Sequence, residues 1–270
     1  MRDPAMRLHI TGFAMVPLPD SSCFAFPRGL MRQHPSSPQQ LIAQAHDRLA
    51  QTYGEPEFRP RRDPVSQLVA TILSQNTSDV NTARSFAALR EAYPDWQAVM
   101  RAPTSELADV IRSGGLADQK APRIQQALQR IYEAQGDFDL SWLAEVPVQD
   151  ARAWLTSLEG VGNKTASIVL LFCFNRPAFP VDTHVRRVCT GLGLAPAGAS
   201  ADRVMQVLET HTPPEWFYPL HLNLIRHGRA VCKARKPRCD NCVLRDLCRH
   251  VAVSGGRGPT LRGNASAATA

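Results

Sequence analysis

An all-α fold is predicted by three features of the chain. Apolar residues recur at helical spacing through most of positions 38–228, the pattern of an amphipathic helix that buries one stripe. No segment shows the strict apolar–polar alternation of a half-buried strand. Gly or Pro stands at each junction between the periodic stretches, where a helix stops or turns. Together these features predict short helices joined by many turns.

The first stripe covers 38–53. The second has a start written into it: Asp63 can cap, Pro64 takes the first helical position where its missing N–H costs nothing, and Val65, Leu68, Val69, Ile72 and Leu73 then share one face. Further stripes follow at 79–92, 104–113, 119–134, 148–158, 164–175, 182–192, 200–211 and 214–228. Residues 1–36 read as a flexible extension. The tail 251–270, VAVSGGRGPTLRGNASAATA, is too rich in Gly, Ala and Ser to bury a core and is expected to be disordered.

A chain of 270 residues with 44% hydrophobic content supports one large domain or two interleaved ones. Of seven cysteines, Cys23, Cys173 and Cys189 are scattered, which argues against a disulfide framework and for a reducing compartment. Asp3, Pro4 and His9 interrupt any apolar leader, and no run approaches the length of a membrane span. These observations predict a cytoplasmic protein, with no membrane partner and with access to DNA.

The other four cysteines, Cys232, Cys239, Cys242 and Cys248, are separated by six, two and five residues. Thiolates this close in sequence can converge on one centre, and the irregular spacing suits a compact [4Fe–4S] cage better than the paired short knuckles that hold zinc. From Arg226 to Arg249 there are eight basic residues against two acidic ones, while the whole chain carries only +7. The net positive charge is therefore concentrated around the cysteines. Lys233, Arg235, Lys236 and Arg238 fall inside the first cysteine loop, where a rigid cluster would direct them at phosphates.

Between two helical stretches lies Leu158-Glu159-Gly160-Val161-Gly162-Asn163-Lys164-Thr165-Ala166. Two glycines around one apolar residue make a tight hairpin with outward N–H groups, and the following helix adds its positive end. Such a hairpin holds a DNA phosphate without reading a base. A Gly-Val-Gly turn alone is weak evidence, since many helix hairpins need glycine for geometry. Its conjunction with Lys164, with Pro180-Val181-Asp182-Thr183-His184 and with the cysteine pattern is specific.

On these motifs residues 38–249 resemble the helix–hairpin–helix DNA glycosylase superfamily and, within it, the endonuclease III family of glycosylases and abasic-site lyases. The resemblance implies a six-helix barrel over 57–176 and an iron–sulfur domain assembled from 37–56 and 177–250, with the active site in the cleft between them. It implies a monomer, nucleoid-associated when bound, that acts on double-stranded DNA holding damaged bases or abasic sites. Oxidised pyrimidines are the implied substrates. The family hairpin reads Leu-Pro-Gly-Val-Gly-Arg-Lys; here Glu159 and Asn163 replace the proline and the arginine, and neither change removes a backbone donor. Leu73-Ser74-Gln75-Asn76-Thr77-Ser78-Asp79 resembles the segment whose glutamine fills the gap left by an extruded base. Alignment gives that role to Asn76, with Gln75 a rival. Gly115-Leu116 matches the turn that supplies an apolar wedge.

The chemistry also follows from the residues. Breaking an N-glycosidic bond passes through an oxocarbenium-like transition state that a carboxylate stabilises, and Asp182 is the candidate. A neutral amine can attack C1′, expel the base and form a Schiff base that permits β-elimination, and Lys164 at a helix start is placed for a lowered pKa. Solvated first-turn lysines and N-cap aspartates are common in isolation; their joint register with the hairpin is not. Two alternatives remain at this level: a non-catalytic DNA-structure binder, which would need neither residue, and a lyase-dominated or ultraviolet-photoproduct-specific relative.

Overall fold

The computed structural model describes residues 37–60 and 62–253, the last two by their backbone alone. The predicted extension 1–36, with Cys23, and the tail beyond 253 lie outside the described residues. Among the described residues there is no strand, and no helix is long and apolar enough to cross a membrane.

Among the described residues twelve α-helices follow in order: α1 (Pro38–Tyr53), α2 (Pro64–Leu73), α3 (Asp79–Ala92), α4 (Trp96–Arg101), α5 (Thr104–Ile111), α6 (Ala117–Gln135), α7 (Val148–Thr156), α8 (Asn163–Phe174), α9 (Thr183–Leu192), α10 (Ala201–His211), α11 (Phe217–Ala230) and α12 (Arg249–Val253). Their starts are set by side-chain caps. Ser37, Asp63, Ser78, Asp95, Asp182 and Ser200 each accept a hydrogen bond from a first-turn N–H, a contribution of about 1 kcal/mol per cap. Gly54, Gly136 and Gly193 end α1, α6 and α9 at positive φ.

The helices bury two apolar cores. The first joins α2 to α8 through residues such as Leu68, Ile72, Leu89, Leu107, Ile124, Leu155 and Val169. The second joins α1, α9, α10 and α11 and takes in Leu244 and Leu247 of the cysteine loop. Truncating a fully buried residue such as Ile124 to alanine would cost about 2–5 kcal/mol. α8 belongs to both cores: Val169 and Leu170 face the first and Leu171 the second. The helix that carries Lys164 in its first turn is thereby clamped on two sides.

Polar ties cross between the two sets of helices. Arg152 of α7 pairs with Glu209 of α10 at 3.1 Å, and Glu209 also accepts from the Phe179 N–H at 2.7 Å. Removing one partner of so buried a pair costs about 3–5 kcal/mol. Asn163 donates to Asp202 at 2.9 Å, so the residue that departs from the family hairpin sequence anchors the hairpin to α10.

Candidate active site and iron–sulfur centre

α7 and α8 are joined by a turn in which the Val161 N–H bonds the Leu158 carbonyl at 3.1 Å. Leu158 and Val161 are buried in the first core. The Val161 side chain, expected within the DNA-binding hairpin, packs into the first core and so anchors the hairpin from inside. Gly160 has φ +75°, and a Cβ there would stand 2.7 Å from Arg123 Cδ. Gly162 is extended, with nothing within 4 Å of a Cβ. No side chain caps α8, which leaves its first-turn N–H groups available to an outside anion.

Lys164 is exposed in that first turn, and Asp182 is half-buried at the start of α9. Asp182 Oδ1 accepts from the His184 and Val185 N–H groups, both at 2.8 Å. The cap thus fixes the carboxylate through one oxygen and does not use Oδ2. Both residues bear on a third. His221 of α11 is buried against the rings of Phe172 and Phe179. Burial pushes it down to about 4, the Asp182 carboxylate and the Pro180 carbonyl oppose that shift, and the Lys164 ammonium adds to it. The lysine and the aspartate therefore lie within electrostatic reach of one neutral imidazole, which sequence reasoning missed. The only trace His221 leaves in the sequence is a polar residue within an apolar helical run.

Gln75 and Asn76 separate in the structure. The Gln75 amide donates to the Gly160 carbonyl at 2.9 Å, tying this loop to the hairpin. Asn76 is exposed and left-handed, φ 54°. Leu116 is likewise left-handed, φ 51°, and 44% exposed.

Cys232, Cys239, Cys242 and Cys248 line one cavity of about 140 Å³. Four thiols on one cavity are the donor set of a cysteine-ligated iron–sulfur cluster. Burial and repulsion from the other thiols push Cys242 up to about 12 and also raise Cys239; Cys232 is raised by burial and by Cys248, against the neighbouring Arg187. Holding all four as thiolates requires a compensating positive centre, which iron supplies. His227 Nε2 lies 3.4 Å from Cys242 Sγ, and its Nδ1 lies 3.2 Å from the Tyr53 hydroxyl. Arg187 donates to the Cys232 carbonyl at 2.6 Å and the Gly228 carbonyl at 2.8 Å. Lys233, Arg235, Lys236 and Arg238 are all exposed, and none forms an ion pair among the described residues.

Residues 69–214 match the family described as HhH-GPD superfamily base excision DNA repair protein, and residues 232–248 match the iron–sulfur binding domain of endonuclease III. The chain is 38% identical over 193 residues to endonuclease III of Sulfolobus acidocaldarius, spanning 70% of this chain and 83% of that one. It is 34% identical over 193 residues to endonuclease III of Thermotoga maritima, spanning 72% and 86%. Its fold is similar to that of a trapped endonuclease III–DNA covalent intermediate, an estranged-adenine complex, with a TM-score of 0.69 at 32% identity over 80% of this chain and 98% of that one. At that identity, over that share of both chains, the protein belongs to the endonuclease III family of HhH-GPD proteins: it is a base excision repair DNA glycosylase and abasic-site lyase that carries a [4Fe–4S] cluster.

Proposed function

We propose that Lys164 is the nucleophile and Asp182 the stabilising carboxylate of this activity, and that the substrates are oxidised pyrimidines in duplex DNA. Asp182 Oδ2 faces the positive charge that develops on the deoxyribose as the base departs. The Lys164 amine bonds to C1′ while the C1′–N bond breaks and the base leaves with its electron pair, taking up a proton. Loss of the amine proton and ring opening give the imine. That imine acidifies the C2′ proton, whose removal expels the 3′ phosphate. The observation that carries the reading is at two helix starts: Lys164 is exposed in the first turn of α8, which has no side-chain cap, and the Asp182 carboxylate is fixed at the start of α9 through Oδ1. The covalent intermediate trapped for the similar endonuclease III supports it further.

The remaining assignments follow the same frame. Asn76 is the residue that fills the vacated site, favoured over Gln75 because the Gln75 amide is engaged with Gly160. Leu116 is the wedge. Gly160 and Gly162 shape the phosphate hairpin, and the four basic residues of the cysteine loop attract phosphates. Cys232, Cys239, Cys242 and Cys248 hold the cluster, whose part is to fix that loop. We assign a barrel over 57–176 and a cluster domain of 37–56 and 177–250, a division that the two apolar cores support although Ala178 joins the first core and Leu171 the second. The protein works as a cytoplasmic monomer on the nucleoid. The test is a duplex with one thymine glycol, then one with an abasic site, with the cleaved strands resolved. Base release and a β-elimination product from the first substrate support the reading; cleavage of the abasic site alone removes the proposed substrate class.

A further inference from the structure

Lys120 is the largest fully buried side chain among the described residues, 1% exposed on the face of α6 that also carries Ala117, Ala121 and Ile124. Its Nζ donates to the Leu73 carbonyl at 2.7 Å and to the Gly114 carbonyl at 2.9 Å. Leu73 is the last residue of α2, three before Asn76. Gly114 ends the turn that follows α5, two before Leu116. One ammonium thus joins the roots of two loops whose tips, Asn76 and Leu116, are exposed and left-handed.

A second observation shows how closely the loops meet. A Cβ on Gly114 would lie 2.8 Å from Ser85 Oγ of α3 and 3.9 Å from the Leu73 carbonyl oxygen. Burial disfavours the charged form of Lys120, and two carbonyl acceptors are what a buried ammonium needs in return. An apolar residue would fill the same space but leave both carbonyls unpaired.

We propose that Lys120 is a positioning residue for lesion extrusion: by tying the Leu73 carbonyl to the Gly114 carbonyl, it fixes the spacing between the amide that enters the vacated site and the leucine that opens the stack. This rests on the roles given above to Asn76 and Leu116. Unstacking and unpairing a base costs a few kcal/mol. A wedge and a plug do that work only if the duplex yields before the loops do. With the ammonium in place, the two tips move as one rigid unit.

The experiment compares Lys120→Met, Leu116→Ala and Asn76→Ala in two assays with the cluster-loaded protein. One is single-turnover excision from a thymine glycol duplex, with 2-aminopurine beside the lesion reporting stack opening. The other is borohydride trapping on single-stranded abasic-site DNA, which needs neither wedge nor plug. Lys120→Met should slow duplex excision and the 2-aminopurine rise by roughly tenfold, the effect of removing a little over 1 kcal/mol from the opening step, while single-stranded trapping keeps its wild-type rate. Equal losses in both assays would show that Lys120 serves only the fold, and unchanged duplex excision would show that it serves neither purpose; either overturns the inference. Should Leu116→Ala and Asn76→Ala lack the duplex-specific loss, the wedge and plug assignments fail and this inference with them. A loss in those two variants without one in Lys120→Met sinks the inference alone. Gly114→Ala, which pushes the same junction apart from the Ser85 side, gives the same duplex-specific loss if Lys120→Met does not fold, and an equal loss in both assays there counts against the proposal.

Discussion

Alanine at Gly160 and alanine at Gly162 should fail in different ways, because the two glycines have different reasons to be glycine. At Gly160 the backbone is left-handed, φ +75°, and the new methyl would stand 2.7 Å from Arg123 Cδ. Holding an L-residue there costs about 1–2 kcal/mol, and displacing Arg123 adds to it. For a protein of this size each kcal/mol lowers Tm by about 2–4 °C, so Gly160→Ala should melt several degrees early. At Gly162 the backbone is extended with open space around the missing Cβ, so the fold loses little. The methyl there instead meets whatever approaches the start of α8. Gly162→Ala should therefore keep its Tm and lose excision rate, because a phosphate held off by a fraction of an ångström misaligns C1′ over Lys164. Melting curves and single-turnover excision on the same preparations decide it. Full activity in Gly162→Ala would refute the hairpin as the phosphate clamp, and an unshifted Tm in Gly160→Ala would refute the strain argument.

Three further outcomes are expected. Asp182→Asn retains an oxygen to cap α9 but loses the charge, so Tm should hold while base excision falls about 10²–10³-fold; normal turnover would remove Asp182 from the chemistry. His221, held near 4 against an ordinary 6.5, stays neutral in the fold while the unfolded chain takes up a proton, so stability present above pH 6.5 is lost as pH falls toward 4, about 2 kcal/mol by pH 5. His221→Phe should show a smaller drop in urea midpoint between pH 7 and pH 5 than wild type, and equal drops would contradict the assignment. Neutralising any one of Lys233, Arg235, Lys236 or Arg238 should weaken binding to damaged and undamaged duplex alike and flatten the log–log salt dependence by about one unit; a loss confined to damaged DNA would mean a different role.

The sequence made most of the helices legible because caps and stripes are local. Asp63 marks the start of α2, and the 38–53 and 79–92 stripes coincide with α1 and α3. α4, six residues long, is too short to display a period, and α12 carries the chain three residues past the predicted domain end at 250. The 214–228 stripe divides into a tight turn at Pro214–Trp216 and α11, which runs on to Ala230. α6 starts at Ala117, two residues early, because left-handed Leu116 precedes it with no side-chain cap to announce the start. In the proposed site, Lys164, Asp182 and the cysteines are legible as candidates because each sits in a motif with fixed spacing. His221 and Lys120 were not. Each is a polar residue on an apolar helical face, and its importance depends on partners far along the chain: Asp182 and Lys164 for the one, Leu73 for the other. Val161 shows the converse, a motif residue whose side chain serves the core.

The central claim is that Lys164 forms the covalent bond to DNA, and borohydride reduction during reaction with abasic-site DNA tests it most directly. Wild-type protein should yield a stable crosslink, and peptide mapping should place the adduct on Lys164. Lys164→Ala, folded and still binding abasic-site DNA, should yield none. Undiminished crosslinking by Lys164→Ala, or an adduct mapped to another amine, would contradict the account.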